Sequence, residues 1–189
     1  MKQKNGHRGV FQRNAGIDWI VENHKNSSAL VYLADDDNTY DERLFQEFVK
    51  VGRDGEIMGV LPVGLVGGGK WEGPICGDGL VKGYHSLYKP SRTFALDMAG
   101  FAFTVQALVD SKAKFSQDWR PGTLETMFAQ QVAGGKDGPL RGSWPSQKAE
   151  IKKRVKPLGD NCKKVYVWHT KTTTYGTHKI YGEDIEVKK

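Results

Sequence analysis

An unbroken apolar run, Ala29-Leu30-Val31-Tyr32-Leu33-Ala34, empties directly into Asp35-Asp36-Asp37-Asn38. Continuous apolarity suits a strand covered on both faces, since a half-solvated strand would alternate apolar and polar residues. Three adjacent carboxylates at the end of such a strand repel one another. Two charges about 4 Å apart cost about 1 kcal/mol in bulk water and about 4 kcal/mol at an effective dielectric near 20. A cation removes that cost. In extended backbone Asp35 and Asp37 face one way and Asp36 the other, so two carboxylates address one place. A small number of hard oxygen ligands suits Mg²⁺ or Mn²⁺ held jointly with a substrate phosphate. The plainer reading is a solvated acidic turn that caps the next helix.

Periodicity places the other elements around this strand. Val10, Ile17, Ile20 and Val21 recur at helical spacing and predict a helix over residues 10–22. After the acidic turn, Thr39 is expected to cap a second helix with Asp41 and Glu42 in its first turn and Leu44, Phe45, Phe48 and Val49 as its buried stripe. Residues 57–66 read as another core strand, ending in Gly67-Gly68-Gly69. Segments 71–76 and 80–84, joined across Gly77-Asp78-Gly79, read as a hairpin. A strand over 99–105, a helix over 124–132 and a last strand over 164–168 complete the series. Between the last two, residues 134–157 read as a long Gly/Pro/Lys-rich loop holding one basic helix near 147–155. Strands alternating with helices early and hairpins later describe a mixed α/β sheet in a single domain, with function expected at the carboxyl ends of the strands.

With 189 residues, 38% of them hydrophobic, there is enough chain for one domain. No stretch reaches the roughly 18–20 apolar residues of a membrane span, and the N-terminus leads into no hydrophobic signal region. The net charge of +6 is concentrated late, in Lys148, Lys152, Lys153, Arg154, Lys156, Lys163 and Lys164. That excess reads as a solvated face or as attraction for a phosphate-bearing or acidic substrate. A nucleic-acid reader would interleave aromatics with those charges, which this chain does not do. Cys76 and Cys162 permit a disulfide without demanding one. Asn26-Ser27-Ser28 is an N-glycosylation sequon for a chain that enters the secretory pathway. Arg13 sits near the start of the first helix, where free N–H groups favour a phosphate, and His169 and Lys171 follow the last strand.

Ordered blocks along the chain carry a resemblance. They are Arg8-Gly9-Val10 with Gln12-Arg13-Asn14, Val31 through Tyr40, Pro62 through Gly68, and Glu72-Gly73-Pro74. Pro90-Ser91-Arg92, Asp97 through Ala102, Leu124-Glu125 and Val167-Trp168-His169-Thr170 follow in the same order. Together they resemble the β-1,3-glucuronosyltransferases, inverting enzymes that complete the proteoglycan linker. The resemblance runs from about Arg8 to the end of the chain, and no single block carries it.

That resemblance implies a GT-A-like mixed sheet with flanking helices whose N-terminal nucleotide-binding part is missing, so that residues 1–189 form one partial catalytic domain with a basic loop insertion at about 134–157. It implies transfer of glucuronic acid from UDP-glucuronate to the 3-hydroxyl of a terminal β-galactose, with Mn²⁺ (or Mg²⁺) as cofactor. Asp37 resembles the family's metal ligand, Asp36 a ribose and metal contact, and Asp35 a further donor-side carboxylate. Glu125 matches the catalytic base. Glu72, Arg92 and Asp97 match acceptor contacts, joined by Tyr88 where relatives often place tryptophan. Arg8, Arg13 and His169 match donor contacts, with Lys171 standing where an arginine is usual, so that a point charge replaces a planar fork. The family further implies a homodimer, no nucleic-acid partner, and a lumenal place on the Golgi membrane for a full-length protein whose anchor this chain does not carry. The alternative expectation is a catalytically impaired piece that binds acceptor glycan or dimerises with a complete enzyme.

Overall fold

The computed structural model describes residues 9–89 and 91–170, so Arg8, Pro90, Lys171 and the tail beyond lie outside the described residues. Helix α1 (Val10–His24) opens just after Gly9, whose φ of 76° lies in the left-handed region. That backbone conformation is what calls for glycine; a Cβ there would also press on Nη1 of Arg13 at 2.8 Å, the movable end of a flexible side chain. The helix buries Val10 and Ile17, as its spacing predicts.

The apolar run yields strand β1 (Leu30–Tyr32), followed by β2 (Thr39–Tyr40), helix α2 (Arg43–Phe48), β3 (Met58–Val60), β4 (Val63–Gly64), β5 (Trp71–Gly77) and β6 (Leu80–His85). Then come β7 (Phe101–Thr104), α3 (Val105–Ser111), α4 (Leu124–Gly134), α5 (Ala149–Lys153), β8 (Val155–Pro157) and β9 (Val167–Trp168). Among the described residues the strands form two mixed sheets, one ordered β1-β7-β3-β8 and one ordered β2-β9-β4-β5-β6. Strand β3 runs parallel to β8, and β4 parallel to β9, while the other pairs are antiparallel. Flanking helices on mixed sheets agree with the GT-A-like expectation.

Several local expectations are corrected. Strand β1 is short and buries Val31 alone, because it lies at a sheet edge with one neighbour, β7. Thr39 caps no helix: it pairs with Trp168 across β2 and β9, and Asp41 and Glu42 precede α2 rather than forming its first turn, with Asp41 Oδ1 accepting from the Arg43 N–H at 2.9 Å. Helix α2 buries Leu44 and Phe48 but leaves Phe45 57% and Val49 58% exposed, since so short a helix turns a narrow stripe to the core. The single strand expected over 57–66 is two. Pro62, with no N–H to donate, breaks the ladder, and β3 and β4 enter different sheets. Helix α3 was not foreseen.

Residues 134–157 hold the expected basic helix, as α5, but are otherwise no open loop. They carry β8, α5 and Trp144, which is 1% exposed and donates its indole N–H to the Val81 carbonyl at 2.9 Å. Trp144 packs among Tyr84 and Phe94, while Phe115 stacks on Phe128 with ring centroids 4.2 Å apart. Basic residues here have partners too: Lys136 pairs with Asp110, Lys156 pairs with Glu56, and Lys152 donates to the Pro145 carbonyl. Cys76 of β5 and Cys162 form a disulfide, their Cα atoms 5.7 Å apart, within the ordinary range for such a bridge. No helix among the described residues is long and apolar enough to cross a membrane.

Candidate active site

The carboxyl end of β1 delivers the acidic turn. Asp36 is exposed and Asp35 and Asp37 are half-buried; Asp36 and Asp37 lie in a turn, so the extended backbone expected across the three aspartates gives way after Asp35. The backbone of the turn is pinned by hydroxyls. Tyr40 donates its phenol to the Asp35 carbonyl at 2.5 Å, and Thr170 donates to the Asp37 carbonyl at 2.8 Å. Arg13, projecting from the first turn of α1, places Nη2 3.0 Å from Asp35 Oδ1 with its guanidinium 5.8 Å from the Phe115 ring centre. Tyr32 lies behind the turn and donates to the Ala99 carbonyl at 3.1 Å. Burial, with Tyr40, Asp97 and Asp35 adding to it, pushes its phenol well up, so it stays neutral.

Asp97 joins this acidic end to the next group. Its Oδ1 accepts from the Ala99 N–H at 3.0 Å, capping the one-turn helix Met98–Gly100. Its Oδ2 stands 3.3 Å from Nδ1 of His169, an ion-pair distance without the alignment of a good hydrogen bond. His169 directly follows β9, and its backbone N–H donates to the Gly64 carbonyl at 2.8 Å. Asp97 raises the His169 pKa above its ordinary 6.5; desolvation opposes the shift, and the charges of Asp37 and Asp35 add to it. The imidazole therefore feels both Asp97 and the acidic turn.

A second group surrounds Arg92. Its Nη2 lies 3.2 Å from Glu72 Oε1, with each side chain 9% exposed. Ser86 donates to Glu72 Oε2 at 2.6 Å, and Thr126 accepts from Arg92 Nη1 at 3.1 Å. Tyr88 lies over the guanidinium, 5.3 Å from ring centre to Cζ, and its phenol donates to the Pro121 carbonyl at 3.3 Å. Glu125 stands in the first turn of α4, partly accessible yet closely surrounded by protein. Desolvation raises its pKa above the ordinary carboxylate value, the charges of Asp97 and Glu72 add to the rise, and Arg92 opposes it.

Asp35, Asp36, Asp37 and Arg13 thus share one end, Glu72, Arg92, Tyr88 and Glu125 the other, with Asp97 and His169 between them. Arg8 and Lys171 lie outside the described residues. Sequence reasoning passed over Ser86, Thr126, Tyr32 and Tyr40, hydroxyls whose roles appear only once their partners are near; the adjacency of Thr126 to Glu125 was the one available hint. Among the described residues no three or more His, Cys, Asp or Glu side chains gather as a metal cage. One or two carboxylates with open sides are nevertheless what a Mg²⁺-like cation uses when phosphate and water complete its shell, and Asp36 and Asp37 fit that description. A cavity of about 500 Å³ lined by Glu56, Leu80, Lys156 and Asn161 shares no residue with this constellation.

A model of glycosyltransferase family 43 matches residues 1–173. Among curated proteins, the chain is 38% identical over 177 residues to human galactosylgalactosylxylosylprotein 3-beta-glucuronosyltransferase 3, covering 87% of this chain and 47% of that protein. It is 37% identical over 170 residues to the mouse enzyme numbered 2, covering 87% and 46%. The Caenorhabditis elegans protein sqv-8 of the same name is 36% identical over 168 residues, covering 87% and 42%. The chain spans about half the length of these relatives.

Proposed function

The chain belongs to glycosyltransferase family 43, and from that premise we propose that it moves glucuronic acid from UDP-glucuronate to the 3-hydroxyl of a terminal β-galactose, inverting the anomeric carbon. The observation that carries this reading is that helix α4, which carries Glu125, meets Arg92 through Thr126, that Arg92 clamps Glu72, and that Asp97 reaches His169 beside the acidic turn. A base and the holder of a leaving group belong on opposite sides of the carbon under attack. The link of Asp97 to both His169 and Glu125 supports that division of roles.

Inversion in one displacement needs a single carboxylate to take the acceptor proton and no covalent nucleophile. Glu125 is that base. Even with its raised pKa it is far too weak to ionise a sugar hydroxyl beforehand, so the proton passes as the new C–O bond forms, a contribution of about 10²–10⁴-fold. Glu72, Arg92 and Asp97 hold acceptor hydroxyls, and Tyr88 offers an aromatic face at their rim. Arg13 and His169 lie where negative charge would grow on a departing diphosphate. Asp36 and Asp37 would hold a Mn²⁺ or Mg²⁺ ion, which when bound supplies charge neutralisation to the nucleotide phosphates. A homodimer and a lumenal Golgi location are part of the same proposal.

The test is incubation of the chain with UDP-glucuronate, Mn²⁺ and a β-galactoside. Transfer that disappears in Glu125→Gln supports the assignment, and transfer that survives removes Glu125 from the chemistry. The second reading is an acceptor-binding or dimerising module without turnover. Calorimetry separates the two: galactoside binding without Mn²⁺-dependent UDP binding selects the module.

A further inference from the structure

Thr126 follows Glu125 in the first turn of α4, and its side chain is buried. Its one hydroxyl proton is committed to the Phe94 carbonyl at 2.6 Å. The lone pairs that remain face Arg92, whose Nη1 donates to Thr126 Oγ1 at 3.1 Å. The other terminal nitrogen of the same guanidinium reaches Glu72 at 3.2 Å and Ser86 Oγ at 3.2 Å. A single hydroxyl therefore ties the residue beside Glu125 to the planar fork that clamps Glu72.

We infer that Thr126 is a positioning residue that fixes the spacing between Glu125 and the Arg92–Glu72 pair, so that the base and the acceptor clamp are held as one unit. The inference rests on the proposed roles of those three residues. Arg92 is planar and donates in fixed directions, so an acceptor on Nη1, together with the Tyr88 and Lys89 carbonyls on Nε, sets where Nη2 points. Without that acceptor, the guanidinium keeps its Nε bonds to the Tyr88 and Lys89 carbonyls and its Nη2 bonds to Glu72 and Ser86, but it loses its tie to the helix that carries Glu125, and the clamp loses its register with that helix. A hydroxyl that served only to satisfy the Phe94 carbonyl would leave sugar binding untouched.

The experiment uses the full chain carrying Thr126→Val, which keeps the shape and removes the hydroxyl, and Thr126→Ser, which keeps the hydroxyl. Thr126→Ala gives the same readout where valine disturbs packing. A β-galactoside is titrated by calorimetry, and transfer from UDP-glucuronate is measured as kcat and acceptor KM. Thr126→Val is expected to weaken galactoside binding roughly tenfold or more, the range for losing a hydrogen bond to a charged group. It is also expected to lower kcat and to leave UDP binding unchanged, with Thr126→Ser restoring both affected quantities. Galactoside affinity and kcat within twofold of the starting chain, with only the melting temperature reduced, would overturn the inference. A serine variant as impaired as valine would overturn it too, since packing of the methyl would then be the cause. A chain that binds galactoside without transferring glucuronate sinks the transferase reading alone, and the binding arm still decides Thr126. A chain that binds no galactoside removes the clamp and the inference together.

Discussion

Asp97 places Oδ2 3.3 Å from Nδ1 of His169, and its charge also helps raise the Glu125 carboxyl. One carboxylate is thus coupled to both ends of the constellation. Its remaining oxygen is held by the Ala99 N–H, which fixes its orientation through backbone rather than through another mobile side chain.

Asp97→Asn is expected to lower the His169 pKa toward its ordinary 6.5, because Asp97 is the largest cause of the rise. The sign follows from linkage. A histidine whose folded pKa is raised contributes stability that is fully present below its unfolded pKa and is lost as pH climbs through the folded value. The aspartate chain should therefore lose stability relative to the asparagine chain as pH rises from about 6 upward. Histidine titration by NMR measures the shift directly, and an unchanged His169 midpoint in the variant counts against the pairing.

Glu125→Gln is expected to abolish transfer and to raise the melting temperature at neutral pH. Its carboxyl is raised mainly by desolvation, so ionisation costs folding free energy, and that cost appears as pH rises above the unfolded carboxylate range. The same shift moves the acid limb of kcat/KM above the ordinary glutamate value, because the base must be deprotonated to act. Thermal scans at pH 4 and pH 7.5 separate the effects: a stability gain at pH 7.5 that vanishes at pH 4 is the expected pattern. A loss of stability at both would show that Glu125 is structural.

Much of this arrangement was legible in the sequence. Helix α1, the β5–β6 hairpin and helix α4 followed from periodicity and turn residues. The acidic turn followed from apolar residues giving way abruptly to aspartates. What escaped had tertiary causes. Thr39 resembles a helix cap, yet pairing with Trp168, 129 positions later, made it a strand. Val155 sits in a lysine-rich stretch, yet as part of β8 it is buried beside Met58. Trp144 lay within what composition marked as a loop. In the site, charged residues announced themselves by type and order, whereas Ser86 and Thr126 carry no signal until a carboxylate and a guanidinium are folded against them.

The Arg92–Glu72 pair is expected to be costly to break and less costly to remove. Arg92→Met leaves the Glu72 carboxylate buried without its cation, which costs about 3–5 kcal/mol. Removing both charges, as Arg92→Met with Glu72→Gln, should recover part of that loss, while galactoside binding stays impaired in both. Urea titration gives the stabilities. A double variant no more stable than the single would mean that the pair adds to the fold rather than serving the ligand.

Reduction of the Cys76–Cys162 bridge is expected to destabilise the chain by about 2–4 kcal/mol, because the bond closes a long loop in the unfolded state. The two cysteines are 86 positions apart. Cys162→Ser should reproduce the effect of reductant and make the chain insensitive to it. Equal midpoints with and without reductant in the unmodified chain would show that the bridge does not form in solution.

The acidic turn offers the last test. Asp36 is exposed and Asp37 half-buried, while Asp35 is neutralised by Arg13 at 3.0 Å. Asp36 and Asp37 are therefore the carboxylates with room for a cation, and UDP should bind more tightly with Mn²⁺ than without. Asp37→Ala is expected to remove that difference, leaving affinity at the metal-free level, and to leave galactoside affinity within twofold, since Glu72, Arg92 and Thr126 are untouched. Arg13→Gln is expected to act in another way. It frees Asp35, adds a negative charge to the turn, and weakens UDP binding most where Mn²⁺ is absent. Calorimetry of UDP with and without Mn²⁺ on the three chains distinguishes these effects. If Asp37→Ala keeps the full Mn²⁺ enhancement, the cation is held elsewhere and the turn is a solvated cap.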